Sequence, residues 1–196
     1  MNEPEITETG IPGLLIIRPK VFRDERGYFF ESYNKKLLEK AGIDITFVQD
    51  NQSRSSYGIV RGLHYQLDPY AQTKLLRVLE GRILDVAVDL RRNSPAWGTW
   101  FAEEISAENR AQMFIPKGFA HGFSVLSEQA TILYKCDEFY HPEAERGIHF
   151  ADPDLGIEWE VPSGMIRYSD KDGRLPPMKD AEMNFEYEPS NQKPGS

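Results

Sequence analysis

Lys74-Leu75-Leu76-Arg77-Val78-Leu79-Glu80-Gly81-Arg82-Ile83-Leu84-Asp85-Val86-Ala87-Val88-Asp89-Leu90 is the stretch whose reading decides the fold class. Two strand-like runs flank a break at Glu80-Gly81-Arg82. In the second, alternation puts Leu84, Val86, Val88 and Leu90 on one face and Asp85 and Asp89 on the other, because successive side chains of a strand point to opposite sides. The pair reads as a hairpin. Further strand-like pieces follow at residues 97–105, 111–115, 122–126 and 131–136, separated by Asn93-Ser94-Pro95, residues 106–109, Pro116-Lys117-Gly118 and residues 127–129. Many short strands with turn residues between them predict an all-β sandwich or barrel of the jelly-roll kind with few short helices. Upstream, Leu14-Leu15-Ile16-Ile17 reads as a strand between Gly13 and Pro19. The one convincing helix runs from Asn34 to about Ala41. Asn34 can cap its first turn, Leu37 and Leu38 supply an apolar side, and Gly42 suits a left-handed C-terminal residue.

With 196 residues and no linker-like stretch, one domain covering residues 1–196 is expected, with a Pro-rich, polar, loosely packed tail from about residue 180. The single cysteine, Cys136, rules out a disulfide within the chain and fits a reducing, cytoplasmic setting. The acidic start Met1-Asn2-Glu3-Pro4-Glu5-Ile6 lacks the basic-then-apolar order of a signal peptide, and no run approaches the roughly 18 apolar residues of a membrane span. A formal charge of -8 argues against nucleic acid or anionic membrane as a general partner. It leaves room for a small phosphorylated ligand, for which Arg23, Arg26 and Arg61 lie in suggestive segments.

Two histidine-centred segments carry the chemical interest: Arg61-Gly62-Leu63-His64-Tyr65-Gln66 and Ile115-Pro116-Lys117-Gly118-Phe119-Ala120-His121-Gly122-Phe123. Pro116-x-Gly118-x-x-His121 resembles the second signature of the cupin superfamily, a double-stranded β-helix barrel. Metal-bound cupins add an H-x-H pair and a nearby carboxylate; here that place reads His64-Tyr65-Gln66, with no acid until Asp68. Two evident nitrogen ligands fall short of the usual three or four donors, so a barrel without a metal or other cofactor is expected.

A closer resemblance rests on Phe22-x-Asp24-x-Arg26-Gly27-x-Phe29-x-Glu31, Gln49-x-Asn51-x-Ser53-x-Ser55-x-x-Gly58-x-x-Arg61-Gly62-Leu63-His64-Tyr65-Gln66, the run from Lys74 to Arg91, Tyr134-Lys135-Cys136, Asp152-Pro153 and Ser169-Asp170-Lys171-Asp172. Together these resemble the dTDP-4-dehydrorhamnose 3,5-epimerase family over about residues 5 to 180. Tyr168 stands where that family more often has an aliphatic residue, and the exit from Trp159 reads Trp-Glu-Val-Pro; neither position has a chemical role in the pattern.

The resemblance implies a cofactor-independent epimerase that inverts C3 and C5 of a dTDP-4-keto sugar. Such chemistry removes a weakly acidic C–H proton beside a ketone, holds the enolate, and returns a proton to the opposite face. A histidine titrates near neutral pH and a carboxylate can orient it; the pattern gives these roles to His64 and Asp172. Lys74, helped by His121, would face the enolate oxygen, where charge counts for more in a dry pocket. Tyr134 would be the returning acid, since a phenol stays protonated at pH 7. By resemblance Arg26 and Arg61 face phosphate, as planar guanidinium donors do well. Phe22, Glu31, Gln49 and Asn51 would hold the thymidine or sugar, and an N-terminal segment crossing to a second subunit implies a homodimer.

Read singly, these residues allow plainer roles. His64 could be a satisfied structural histidine, His121 a relic that only hydrogen-bonds, Lys74 a solvated edge residue, Tyr134 a core tyrosine beside Ile132 and Cys136, Asp172 a turn cap, and Asp24-Glu25-Arg26-Gly27 a charged turn. His141 and His149 read as peripheral. Competing functions are an epimerase acting at one carbon only, a metal-dependent cupin oxygenase, and a sugar-binding jelly roll without catalysis.

Overall fold

A computed structural model describes residues 3–189. In chain order its elements are β1 (Glu5–Glu8), β2 (Leu15–Arg18), β3 (Phe22–Asp24), β4 (Gly27–Phe29), α1 (Lys35–Lys40), β5 (Gln49–Ser56), β6 (Val60–Gln66), β7 (Lys74–Glu80), β8 (Arg82–Asp89), β9 (Trp100–Ser106), β10 (Gln112–Ile115), β11 (Phe119–Val125), β12 (Gln129–Cys136) and β13 (Glu145–Gly147). They form a six-stranded sheet in the order β1-β2-β10-β7-β12-β5, a five-stranded sheet in the order β13-β6-β11-β8-β9, and a separate β3-β4 hairpin. This is the jelly-roll barrel expected of the sequence. The helix also falls where its signals lie: the Asn34 side chain accepts the Lys36 N–H, and Gly42 takes φ +83.

The expected β7–β8 hairpin does not form. The chain turns at Gly81, φ +76, and carries the two strands into different sheets. Leu76 and Val78 of β7 then face Ile83 and Ala87 of β8 across the barrel, in one cluster with Met113, Ile115, Phe123 and Ile132. The reason lies in burial. Backbone hydrogen bonds of roughly 0.5–1.5 kcal/mol net are available from whichever strand lies alongside, whereas fully burying a side chain such as Leu76 or Ile83 is worth about 1.5–3 kcal/mol. Facing the two runs across the interior buries both sets.

The predicted face of Leu84, Val86, Val88 and Leu90 points the other way, into a second cluster covered by Ile148, Phe150, Leu155, Trp159, Met178 and Phe185. The chain from Met178 is therefore anchored, contrary to the expectation of a loose tail. Phe185 is buried, and the Arg92 backbone pairs with those of Phe185 and Tyr187, while residues 188 and 189 are exposed. The rest of that expectation, residues 190–196, lies outside the described residues. A third cluster places Leu38 and Ile43 over Ile17, Leu75 and Phe114, so α1 caps the outside of the six-stranded sheet.

Candidate active site

Covering both sheets leaves Asp85 and Asp89 on the inner face of β8, fully buried. Asp89 is satisfied by Arg91 and Ser94. Asp85 instead sits behind His121, which lines an opening between the sheets. Its Oδ1 lies 2.7 Å from His121 Nε2 on neighbouring β11, while Oδ2 has no hydrogen-bond partner among the described residues. Nothing in the sequence beyond the β8 alternation marks Asp85, and that alternation alone reads as a solvated face.

His121 is the register partner of His64 on β6, and the ladder slips between His121 and Phe123. At the slip a side chain on Gly62, φ +113, would meet the Gly122 Cα at 2.6 Å, so only glycine permits this approach. Such irregularities re-aim side chains beside functional sites. Here the two imidazoles are neighbours in one cavity wall.

His64 Nε2 lies 2.6 Å from Asp172 Oδ1. With the Nε2–H donated to that carboxylate, Nδ1 is the nitrogen left to take a proton. Asp172 sits in the turn Ser169-Asp170-Lys171-Asp172, where Ser169 Oγ accepts the Asp172 N–H at 3.1 Å. The turn is thus capped, but by Ser169, and Asp172 is free to face inward at 3% exposure. Burial acts to raise its pKa; the His64 hydrogen bond and charge, with Ser169 and Lys171, outweigh it and hold Asp172 below the usual carboxylate value. It remains an anion opposite the imidazole.

Lys74 opens β7 and Tyr134 lies on β12, with Cys136 opposite Lys74 in the ladder. Burial lowers the Lys74 pKa, against Cys136, Asp85 and Glu145, which act to keep it charged. Burial likewise raises the Tyr134 phenol, helped by Cys136 and Glu145 and opposed by Arg61. The phenol therefore keeps its proton at neutral pH. Arg61, His64, Lys74, His121 and Tyr134 together line a cavity of about 180 Å³, and His64 and Arg61 continue into an adjoining cleft with Tyr168, Lys171 and Asp172.

Other sequence-predicted residues lie elsewhere. Gln49 and Asn51 are on β5, the strand beside β12; Gln49 Nε2 donates to Asn51 Oδ1, and Asn51 Nδ2 lies 3.7 Å from Cys136 Sγ. Phe22 and Arg26 belong to the β3-β4 hairpin, where Arg26 pairs with Asp24 and is 83% exposed. Glu31 accepts from Asn34 and faces, with Phe22 and Tyr33, a small cavity beside α1. None of these five lines the His64 cavity. Gln66, in the position of a missing cupin ligand, spends its amide on the Tyr70 and Phe139 carbonyls and the His141 N–H. His141 stacks on Tyr70 and His149 on Phe150, both away from the cavity.

A jelly-roll barrel whose mouth gathers a histidine–carboxylate pair, a lysine and a phenol defines a cupin-type isomerase built for proton transfer. The model of the family described as dTDP-4-dehydrorhamnose 3,5-epimerase matches residues 8–180. A dTDP-4-dehydrorhamnose 3,5-epimerase of Shigella flexneri is 52% identical over 168 residues, 85% of this chain and 92% of that protein. The crystal structure of the enzyme of that name from Elizabethkingia anophelis superposes with a TM-score of 0.88 at 50% identity, covering 91% of this chain and 98% of the other. A dTDP-6-deoxy-D-glucose-3,5-epimerase from Legionella pneumophila, solved with dTDP-4-keto-L-rhamnose, gives 0.86 at 48% identity over 90% and 94% of the two chains. The chain belongs to the dTDP-4-dehydrorhamnose 3,5-epimerase family.

Proposed function

We propose that this protein inverts C3 and C5 of dTDP-4-dehydro-6-deoxy-D-glucose to give dTDP-4-dehydro-L-rhamnose, using side chains alone. The observation that carries the reading is the convergence of His64, Lys74 and Tyr134 on one cavity, with Asp172 behind the imidazole. His64 takes the proton from the carbon beside the C4 ketone, and the electron pair moves onto the carbonyl oxygen. Asp172 stabilises the imidazolium that forms. Lys74, with His121, faces the enolate oxygen in this reading; both line the cavity, and the burial of Lys74 makes its charge count for more. Tyr134, still protonated, returns a proton from across the ring, and the ketone re-forms with the carbon inverted. Arg61 lines both the cavity and the adjoining cleft, and in this reading its planar guanidinium meets the diphosphate.

Incubation with the 4-keto nucleotide sugar in heavy water, followed by NMR, tests the reading. Deuterium is expected at both C3 and C5, with turnover insensitive to chelators. Label at one carbon would reduce the protein to a mono-epimerase; label at neither, or loss of turnover on chelation, would overturn the proposal.

The β3-β4 hairpin suggests how the nucleotide half is held. Phe22, Tyr28, Phe29 and Arg26 are exposed on it, an aromatic and cationic surface suited to a base and a phosphate. A second copy of the chain, bringing this hairpin to its neighbour's cavity, would complete the site as a homodimer. Sedimentation should report a dimer, and Arg26→Ala should raise KM for the dTDP-sugar with little change in kcat. A monomer at working concentrations, or an unchanged KM, would remove this part of the proposal. Among the described residues no helix is long and apolar enough to cross a membrane.

A further inference from the structure

One carboxylate at the cavity wall takes no part in the steps above. Glu145 lies on edge strand β13, two residues before Gly147, the ladder partner of His64. Its Oε2 accepts both the Tyr140 hydroxyl and the Lys171 ammonium, each at 2.6 Å. These donors come from different parts of the chain: Tyr140 follows the strand that carries Tyr134, and Lys171 immediately precedes Asp172. The strand that carries Glu145 is tied to β6 just beyond it, where the Leu63 and Ile148 backbones exchange hydrogen bonds at 3.0 and 2.9 Å, and glycine at 147 permits the close approach, since a side chain there would meet the Leu63 carbonyl oxygen at 2.6 Å. A charge-assisted hydrogen bond from a fixed strand is a geometric constraint as well as an attraction.

We propose that Glu145 is a positioning residue of this site, a fixed carboxylate that seats the Asp172 turn through Lys171 and holds Tyr140 at the cavity mouth. The proposal rests on the epimerase reading given above. Its consequence is that His64 meets Asp172 at 2.6 Å only while the 169–172 turn is tied down at Lys171. The charged and titratable groups facing Glu145 are Tyr140, Lys171, His64, Lys74 and Tyr134. Its neighbour Arg146 pairs away with Glu182. The negative charge therefore favours the protonated forms of Lys74 and Tyr134.

Two variants of the full chain, Glu145→Gln and Lys171→Met, test this with two readouts. One is kcat and KM for the 4-keto nucleotide sugar; the other is the His64 imidazole titration by NMR, its signal assigned by loss in His64→Ala. Glu145→Gln should lower kcat by roughly tenfold or more with a smaller change in KM, since a misplacement of about 1 Å can cost on the order of a hundredfold. It should also move the His64 midpoint, and the acid limb of the kcat/KM profile, to lower pH, because both the nearby charge and the seated Asp172 are weakened. Lys171→Met should also lower kcat, and the double variant should be no worse than Glu145→Gln alone, as expected if Lys171 acts through that carboxylate. An unchanged kcat and midpoint in Glu145→Gln, or only a lower melting temperature, would overturn the proposal. If that variant does not fold, full kcat in Lys171→Met does so instead. Should the parent chain exchange no deuterium, the epimerase reading fails, while an unmoved His64 midpoint still counts separately against Glu145.

Discussion

His64→Ala is expected to abolish deuterium uptake at both C3 and C5, with turnover lost by about 10²- to 10⁴-fold or more, the range attributed to a positioned general base. The size follows from the geometry. Asp172 is buried and its nearer oxygen is given to His64, so no other base in the cavity has a carboxylate behind it except His121, whose Nε2 is 2.7 Å from Asp85. Lys74 is cationic or desolvated, and Tyr134 holds its proton. The measurement is NMR of the 4-keto nucleotide sugar in heavy water, with the melting temperature followed as a control for folding. Exchange at the parent rate would remove His64 as the base and shift attention to the His121–Asp85 pair.

Tyr134→Phe should separate the two halves of the reaction. The ring keeps its volume beside Ile132 and Cys136, so the cavity stays intact while its proton donor is gone. His64 can still remove a proton and solvent deuterium can return from the same side, so some exchange should persist while net inversion falls by about 10²- to 10⁴-fold. Comparing the exchange rate with the rate of appearance of the L-configured product checks this. Normal inversion would show that the phenol is no acid; loss of exchange in step with inversion would mean that it is needed for proton removal as well.

Not all of this architecture was open to the same kind of reading. The strands β7 to β12 announce themselves by stretches of aliphatic, aromatic and other apolar residues between turns. Strand β5, Gln49-Asp50-Asn51-Gln52-Ser53-Arg54-Ser55-Ser56, carries no apolar residue, because it is an edge strand held by its ladder to β12 and needs little side-chain burial. No periodicity reveals such a strand; its residues are prominent only through the family pattern. The same holds for Lys74 and Tyr134, which look like an edge lysine and a core tyrosine until the barrel closes around them. Glu145 carries no local signal and Asp85 only the β8 alternation, which reads as a solvated face because acids are ordinarily exposed.

By itself the sequence determined the all-β class, the capped helix at Asn34, the anchor residues of the family pattern and the opposing faces of β8, because these depend on local propensity and on the two-residue period of a strand. Tertiary structure decided which strands share a sheet, sending β7 and β8 to opposite walls where burying both apolar faces outweighs pairing them. It decided that the segment from Met178 to Tyr187 packs down through Phe185 rather than lying loose. It also decided that residues far apart in sequence, 64 with 172 and 85 with 121, meet at hydrogen-bond distance. Contacts of that kind depend on how two sheets close over one another, and no segment read alone contains that information.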